Sequence, residues 1–277
     1  MKECVYDFAI DAQYTRPQRS TLKGPSTAAK YCIVTITYIP TSAIVWQEVV
    51  EVSEREELEG KVYKRGENVG TIRAIEHLSK MLKYPEQANF VHDECGATEA
   101  IIASVFGLAQ SAIDAWHREK KVAKSLSKHF SKKGAVVESE CLSILQSDFA
   151  RKWRIIVDSQ PKEERRSKWL GLKHVVKSQW GNSISQNAME AIDDFIEEYV
   201  TYMDRASVVS NPSTQQVECY HSFANKFWSK RTQLPRLLPT KSKLSAIAWN
   251  NVDNYQNRIR DRVYQELFSN DVTRSMV

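Results

Sequence analysis

Val5-Tyr6-Asp7-Phe8-Ala9-Ile10-Asp11 is a run of β-branched and aromatic residues that ends on a carboxylate. Side chains of this kind pack well on a half-buried pleated surface, so the run reads as a strand. Two runs of the same character follow, Tyr31-Cys32-Ile33-Val34-Thr35-Ile36-Thr37-Tyr38 and Ala43-Ile44-Val45-Trp46-Gln47-Glu48-Val49-Val50. Pro40-Thr41-Ser42 between them supplies turn residues for an antiparallel hairpin. The link from Gln13 to Ala29 is polar, with Arg16-Pro17 and Gly24-Pro25, and reads as a loop over the sheet edge. From Glu67 to Lys83 the apolar positions Val69, Ile72, Ile75, Leu78, Met81 and Leu82 recur at helical spacing until Tyr84-Pro85 stops them. Gly66-Glu67-Asn68-Val69-Gly70 lacks the spacing and the lysine of a phosphate loop, and reads as the start of this helix. Ala88-Asn89-Phe90-Val91-His92-Asp93 is a second short apolar run that ends on a carboxylate, a helix follows to about Phe106, and Ser111 to His117 reads as another strand. The expected order is β-β-β-α-β-α-β, an α/β arrangement.

Beyond Trp116 period-two alternation disappears and helical periodicity takes over. Ile192, Phe195, Ile196, Tyr199, Val200 and Met203 make one apolar stripe, with Glu190, Asp193, Asp194, Glu197 and Glu198 on the solvated side. Val252, Tyr255, Ile259, Val263, Tyr264, Leu267 and Phe268 predict a terminal helix. With 42% hydrophobic residues and only 9 Gly and 8 Pro in 277, the chain has ample core and is neither collagenous nor linker-rich. Its 5 cysteines, Cys4, Cys32, Cys95, Cys141 and Cys219, form no CxxC pair, which argues against a disulfide framework and a four-cysteine zinc site. Cys95, His117, Cys141 and His174 match no compact zinc finger either. The apolar stretch Ile101 to Ala109 falls far short of the ~20 residues that span a bilayer, and the start Met1-Lys2-Glu3-Cys4 lacks a signal peptide's apolar core. A soluble, intracellular protein without a membrane partner is expected.

The net charge is only +5, but it is unevenly placed. Arg118, Lys120, Lys121, Lys124, Lys128, Lys132 and Lys133 face a single acid, Glu119, and no acid stands between Glu218 and Asp253 while Lys226, Lys230, Arg231, Arg236, Lys241 and Lys243 fall in that window. Two such segments point to a polyanion such as nucleic acid.

Asp11 and Asp93 each end an apolar run, and hard divalent cations need oxygen ligands presented from a rigid sheet. A third acid lies in a helix where Val217, Tyr220, Ala224, Phe227 and Trp228 form one face and Glu218, His221, Ser222 and Asn225 another. The element order resembles the ribonuclease H-like fold, in which the first and fourth strands are neighbours and carry two aspartates. Ser213-Thr214 followed by Glu218-Cys219-Tyr220-His221 is similar to a signature of DDE-type, Mutator-like transposase catalytic domains, as are Asp114-Ala115-Trp116-His117-Arg118-Glu119-Lys120, Lys230-Arg231 and Leu244 to Asn250. Cys219 departs from the usual serine, and no zinc-finger module precedes Asp11.

The resemblance implies a ribonuclease H-like mixed sheet with its first part in 1–130, a helical insertion in 131–210, and C-terminal helices completing the catalytic core in 211–277. It further implies that Asp11, Asp93 and Glu218 bind two Mg2+ or Mn2+ ions and that His221 holds the nucleophile or the scissile phosphate. DNA would be contacted by His117, Lys120, Lys121, Lys124, Lys226, Lys230 and Arg231. The activity it implies is cleavage and strand transfer on transposon ends and target DNA, in the nucleus and by a homo-oligomer. Two other readings stay open: a domesticated, inactive DNA-binding or interaction module, and a nuclease of the same fold acting on RNA or RNA–DNA hybrids.

Overall fold

The computed structural model describes residues 6–15, 30–107, 111–206, 214–227 and 237–251. In chain order the elements are β1 (Tyr6–Tyr14), β2 (Tyr31–Tyr38), β3 (Ala43–Glu51), β4 (Glu56–Leu58), β5 (Lys61–Tyr63), α1 (Gly66–Met81), β6 (Ala88–His92), α2 (Gly96–Phe106), β7 (Ser111–Ile113), α3 (Ala115–Lys133), α4 (Ser139–Ser159), α5 (Lys162–Trp180), α6 (Gln186–Val200), α7 (Thr214–Ala224) and α8 (Leu238–Asn250). They divide into two compact units, Met1–Ser111 with Pro212–Val277, and Ala112–Asn211. No described helix is long and apolar enough to cross a membrane.

The first unit is built on a mixed sheet in the order β3-β2-β1-β6-β7, of which Ser111 is the unit's last residue. β1 runs antiparallel to β2, β2 antiparallel to β3, and β1 parallel to β6. The sheet is covered on both faces, which is why β2 is apolar at nearly every position instead of alternating. On one face Phe8, Ile10, Cys32, Val34 and Ile36 pack with Val69, Ile75 and Leu78 of α1 and Ile102 of α2. On the other, Tyr31, Ile33 and Ile44 pack with Tyr220 and Ala224 of α7 and Leu238 of α8. β1 continues to Tyr14, three residues past Asp11, because its pairing with β2 extends to Tyr14↔Cys32. Asp11 therefore stands within the strand and not at its end.

Helix α1 lies unusually close to β2. A Cβ placed on Gly66 would stand 3.0 Å from Cys32 Cβ, and one on Gly70 would stand 2.6 Å from Val34 Cγ2. Glycine spaced by four residues thus removes side-chain bulk from the face that meets the strand. Gly70→Ala is expected to destabilise the fold by roughly 1–3 kcal/mol of overpacking strain, read as a lower urea midpoint, since the Val34 and Val50 methyls it would meet are in the core. An unchanged midpoint would show that α1 can move away without loss.

Two elements differ from the sequence expectation. Glu59 and Gly60 both have positive φ, +51° and +77°, and close the β4–β5 hairpin in which Leu58 pairs with Lys61. Positive φ at both loop residues is what a two-residue hairpin turn needs. The strand expected over Ser111 to His117 is only three residues long, because Asp114 caps α3: its Oδ1 accepts from the backbone N–H groups of Trp116 (2.8 Å) and His117 (3.1 Å). An aspartate that satisfies two free N–H donors starts a helix in place of continuing a strand. The terminal helix expected over 252–268 lies outside the described residues.

α8 ends in a clamp on β3. Asn250 Oδ1 accepts from the N–H of Ile44 and its Nδ2 donates to the carbonyl of the same residue, both at 2.9 Å. Trp249 Nε1 donates to the Ser42 carbonyl at 2.8 Å. Among the described strands β3 lies at the edge, and Asn250 occupies the backbone groups that another strand could otherwise pair with.

The second unit contains α3 to α6 around an aromatic core of Phe149, Trp153, Trp169, Phe195 and Tyr199, all fully buried. Both indoles are satisfied, Trp153 Nε1 by the Ala115 carbonyl (3.1 Å) and Trp169 Nε1 by that of Ile196 (3.0 Å). The acids of α6 lie outside this core as the stripe pattern requires.

Candidate functional site

Register places the two aspartates at one level of the sheet. Ile10 pairs with His92 as the last rung between the parallel strands β1 and β6. Asp11 and Asp93 are each one residue further on, and adjacent strands are about 4.8 Å apart. The backbone at Asp93 is held by the His92 ring, whose Nδ1 lies 2.5 Å from the Asp93 carbonyl oxygen while Nε2 lies 2.7 Å from Ser111 Oγ.

Asp11 and Asp93 line a narrow crevice together with Glu67, Thr71 and Thr98. Glu67 belongs to the first turn of α1, and its backbone N–H donates to Tyr14 Oη at 3.3 Å. Burial holds the Glu67 carboxyl above the usual carboxylate range, and the negative charges of Asp11 and Asp93 push it further in the same direction. Sequence reading missed this residue as a site candidate. The signal was an acid between two glycines at a helix start, but an acid in a first turn is also an ordinary helix signal.

The raised Glu67 group has a consequence for stability. Folding favours its protonated form, so its ionisation weakens the fold as pH rises past the ordinary carboxylate range, and acid relieves the penalty. Glu67→Gln is expected to raise the thermal midpoint at pH 8 in metal-free buffer and to lose that advantage near pH 4. A lower midpoint at pH 8 than in the wild type would refute the assigned like-charge crowding.

α7 brings its residues to this region by clips across the strands. Gln216 Nε2 donates to the Ile39 carbonyl (3.1 Å), His221 Nε2 lies 3.1 Å from Thr35 Oγ1, and Asn225 Oδ1 accepts from Gln13 Nε2 (3.2 Å). His221 is buried, with Nδ1 3.5 Å from Asp11 Oδ2. Its neighbour Tyr220 packs in the apolar cluster, so the helix turns both its aromatic and part of its polar face inward. Glu218 is half-buried, one turn before His221 and therefore on the same side of the helix, whereas Cys219 is exposed. Cys32 is no nucleophile: burial, its largest influence, pushes its thiol up to about 12.

The expected DNA contacts fall in both units. In the first, Lys226 is exposed, with Nζ 5.5 Å from the Phe223 ring centroid. Lys230 and Arg231 lie outside the described residues. In the second, Lys120, Lys121, Lys124, Lys128 and Lys132 are exposed on α3. The helix's one acid, Glu119, is engaged by Arg154 through two bonds of 2.8 and 2.9 Å. The α6 acids Glu190 and Asp194 take Lys133, and Glu197 takes Lys173. Among the described residues no acid pairs with Lys124, Lys128 or Lys132. His117 is turned back onto the cap, its Nδ1 3.3 Å from Asp114 Oδ2, and the Lys120 ammonium sits over the Trp116 ring.

No protein-family model matches this sequence, and no curated protein matches it.

Proposed function

We propose that the chain is the catalytic core of a DDE-type, ribonuclease H-like transposase, which cleaves and joins DNA phosphodiesters with divalent cations. The observation that carries this reading is the placement of Asp11 and Asp93 one step beyond the same rung of adjacent parallel strands, in a crevice lined by a third carboxylate. The sheet order β3-β2-β1-β6-β7 supports it, because it sets the strand that bears Asp11 beside the strand that leads into Asp93.

The donor set suits Mg2+ or Mn2+, hard cations that prefer carboxylate oxygen. Asp11, Asp93 and Glu218 would hold two such ions, and Glu67 adds an oxygen donor at the crevice that the sequence resemblance did not include. Bound there, the ions would supply a lowered water pKa and charge neutralisation at a phosphodiester. Asp11 and Asp93 serve by their rigid mounting on paired strands, and His221 serves by its contact with Asp11. The lysines of α3, with Lys226, supply cationic surface for the DNA backbone, a term independent of sequence.

The test is nicking of supercoiled plasmid by the purified chain with Mg2+ or Mn2+, against EDTA and against RNA–DNA hybrid in the same salt. Cation-dependent DNA nicking is expected. Duplex binding without nicking would replace this reading with the inactive, domesticated module, and cleavage confined to the hybrid would replace it with a ribonuclease.

A further inference from the structure

Asp11, Thr35 and Gln47 form one row across β1, β2 and β3, since Asp11 pairs with Thr35 and Thr35 with Gln47. A chain of hydrogen bonds runs along this row and on to α8. His221 Nδ1 faces Asp11 Oδ2, and its Nε2 meets Thr35 Oγ1 at 3.1 Å. Gln47 Nε2 donates to Thr35 Oγ1 (3.2 Å) and to Tyr220 Oη (2.8 Å), while its Oε1 accepts from Ser242 Oγ (2.9 Å). Tyr220 Oη lies 2.6 Å from Ser245 Oγ, which donates to the Ser242 carbonyl at 2.7 Å. Thr35, Tyr220, Ser242 and Ser245 are no more than 1% exposed, so bulk water offers them no alternative partner.

Counting hydrogens fixes the direction of each link. Ser245 spends its hydrogen on the Ser242 carbonyl, so its oxygen accepts from Tyr220. Tyr220 in turn accepts from Gln47. Turning the Gln47 amide over would leave the Ser242 hydroxyl without an acceptor, and a buried unmade hydrogen bond is costly. Thr35 Oγ1 already accepts from Gln47, and among the described residues the acceptor within reach of its own hydrogen is His221 Nε2.

We propose that this ordered chain locks neutral His221 in the tautomer that carries its hydrogen on Nδ1, facing Asp11, and that Thr35, Gln47 and Ser242 are thereby positioning residues for the Asp11 carboxylate. The opposite tautomer would turn a nitrogen lone pair toward the carboxylate and repel it. The tautomer follows from the hydrogen bonds alone. Only the consequence for metal binding rests on the function proposed above.

The experiment uses the full chain with 15N-labelled histidine rings, free of metal, at a pH where imidazole is neutral. Signals of His221 are identified by their absence in His221→Asn. A protonated Nδ1 and a bare Nε2 are expected, the reverse of the preference of free histidine. Thr35→Val should move the hydrogen to Nε2, and Thr35→Ser should leave it on Nδ1. Ser242→Ala, on a different element, should also shift the population toward Nε2–H by freeing the Gln47 amide to turn. A wild-type hydrogen on Nε2, or a tautomer that ignores Thr35→Val in a spectrum that otherwise remains folded, overturns the proposal.

The positioning role is read by Mn2+ titration followed by electron paramagnetic resonance. Thr35→Val should bind several-fold more weakly, up to the roughly 10-fold lower bound typical of losing a ligand's own partner, since Thr35 acts on Asp11 through His221, and Thr35→Ser should bind like the wild type. Equal Mn2+ affinity in Thr35→Val and wild type overturns the positioning role. If Asp11→Asn also binds Mn2+ unchanged, the two-metal function fails as well, while the tautomer and its dependence on Thr35 stand on their own measurement.

Discussion

Asp93→Asn is expected to reduce Mg2+- or Mn2+-dependent DNA nicking by more than about a hundred-fold, beyond the 10–100-fold typical of losing a residue that only supports a ligand. The substitution keeps shape and removes charge. An amide is a weaker donor to a hard cation than a carboxylate, so cation affinity should fall with activity. The fold should survive, because what holds this segment is backbone: the rungs from Tyr6↔Ala88 to Ile10↔His92, and the His92 ring between the Asp93 carbonyl and Ser111. Asp7→Asn is the matched control. Asp7 lies on the same strand as Asp11, four residues away, where it accepts from Asn89 Nδ2 at 3.3 Å. Nicking retained in Asp93→Asn, or lost equally in Asp7→Asn, would remove the two aspartates from the chemistry.

Replacing Lys124, Lys128 and Lys132 together by Glu should weaken duplex DNA binding by roughly 10²- to 10³-fold in 0.1 M salt, and should lower the slope of log K against log salt by about 3. These lysines are four residues apart, so they form one line about 12 Å long on α3. Among the described residues no acid pairs with them, because the neighbouring acids are committed elsewhere, Glu119 to Arg154 and Glu190 with Asp194 to Lys133. The loss should be the same for unrelated DNA sequences, since phosphate contacts carry no base information. Salt-dependent fluorescence anisotropy measures both quantities. A triple variant with an unchanged slope would mean that α3 is a solvated face only.

Much of the secondary structure was legible in the sequence. The runs that begin at Tyr6, Tyr31 and Ala43 form strands, and the apolar spacing from Val69 to Met81 forms a helix, because strand composition and helical period are local properties. The errors were also local. Asp114 can end a strand or cap a helix, and only its two bonds to Trp116 and His117 decide between them. The hairpin at Glu59-Gly60 leaves no sequence signal, because its flanking strands are three residues each, too short for alternation to register.

The candidate site divides differently. Asp11 and Asp93 could be singled out because each ends an apolar run, and His221 because of the motif around it. Nothing local marks Glu67, Thr35, Gln47 or Ser242. Glu67 lines the crevice because Gly66 and Gly70 let α1 sit against β2, and the row Asp11–Thr35–Gln47 exists because of strand register. By itself the sequence determined which segments are strands and helices and where charge accumulates, since propensity, period and composition act between near neighbours. The tertiary structure decided which acids share a crevice and which hydroxyls order the His221 ring, since register and close approach depend on residues far apart in the chain and a shift of one residue would turn every side chain to the opposite face.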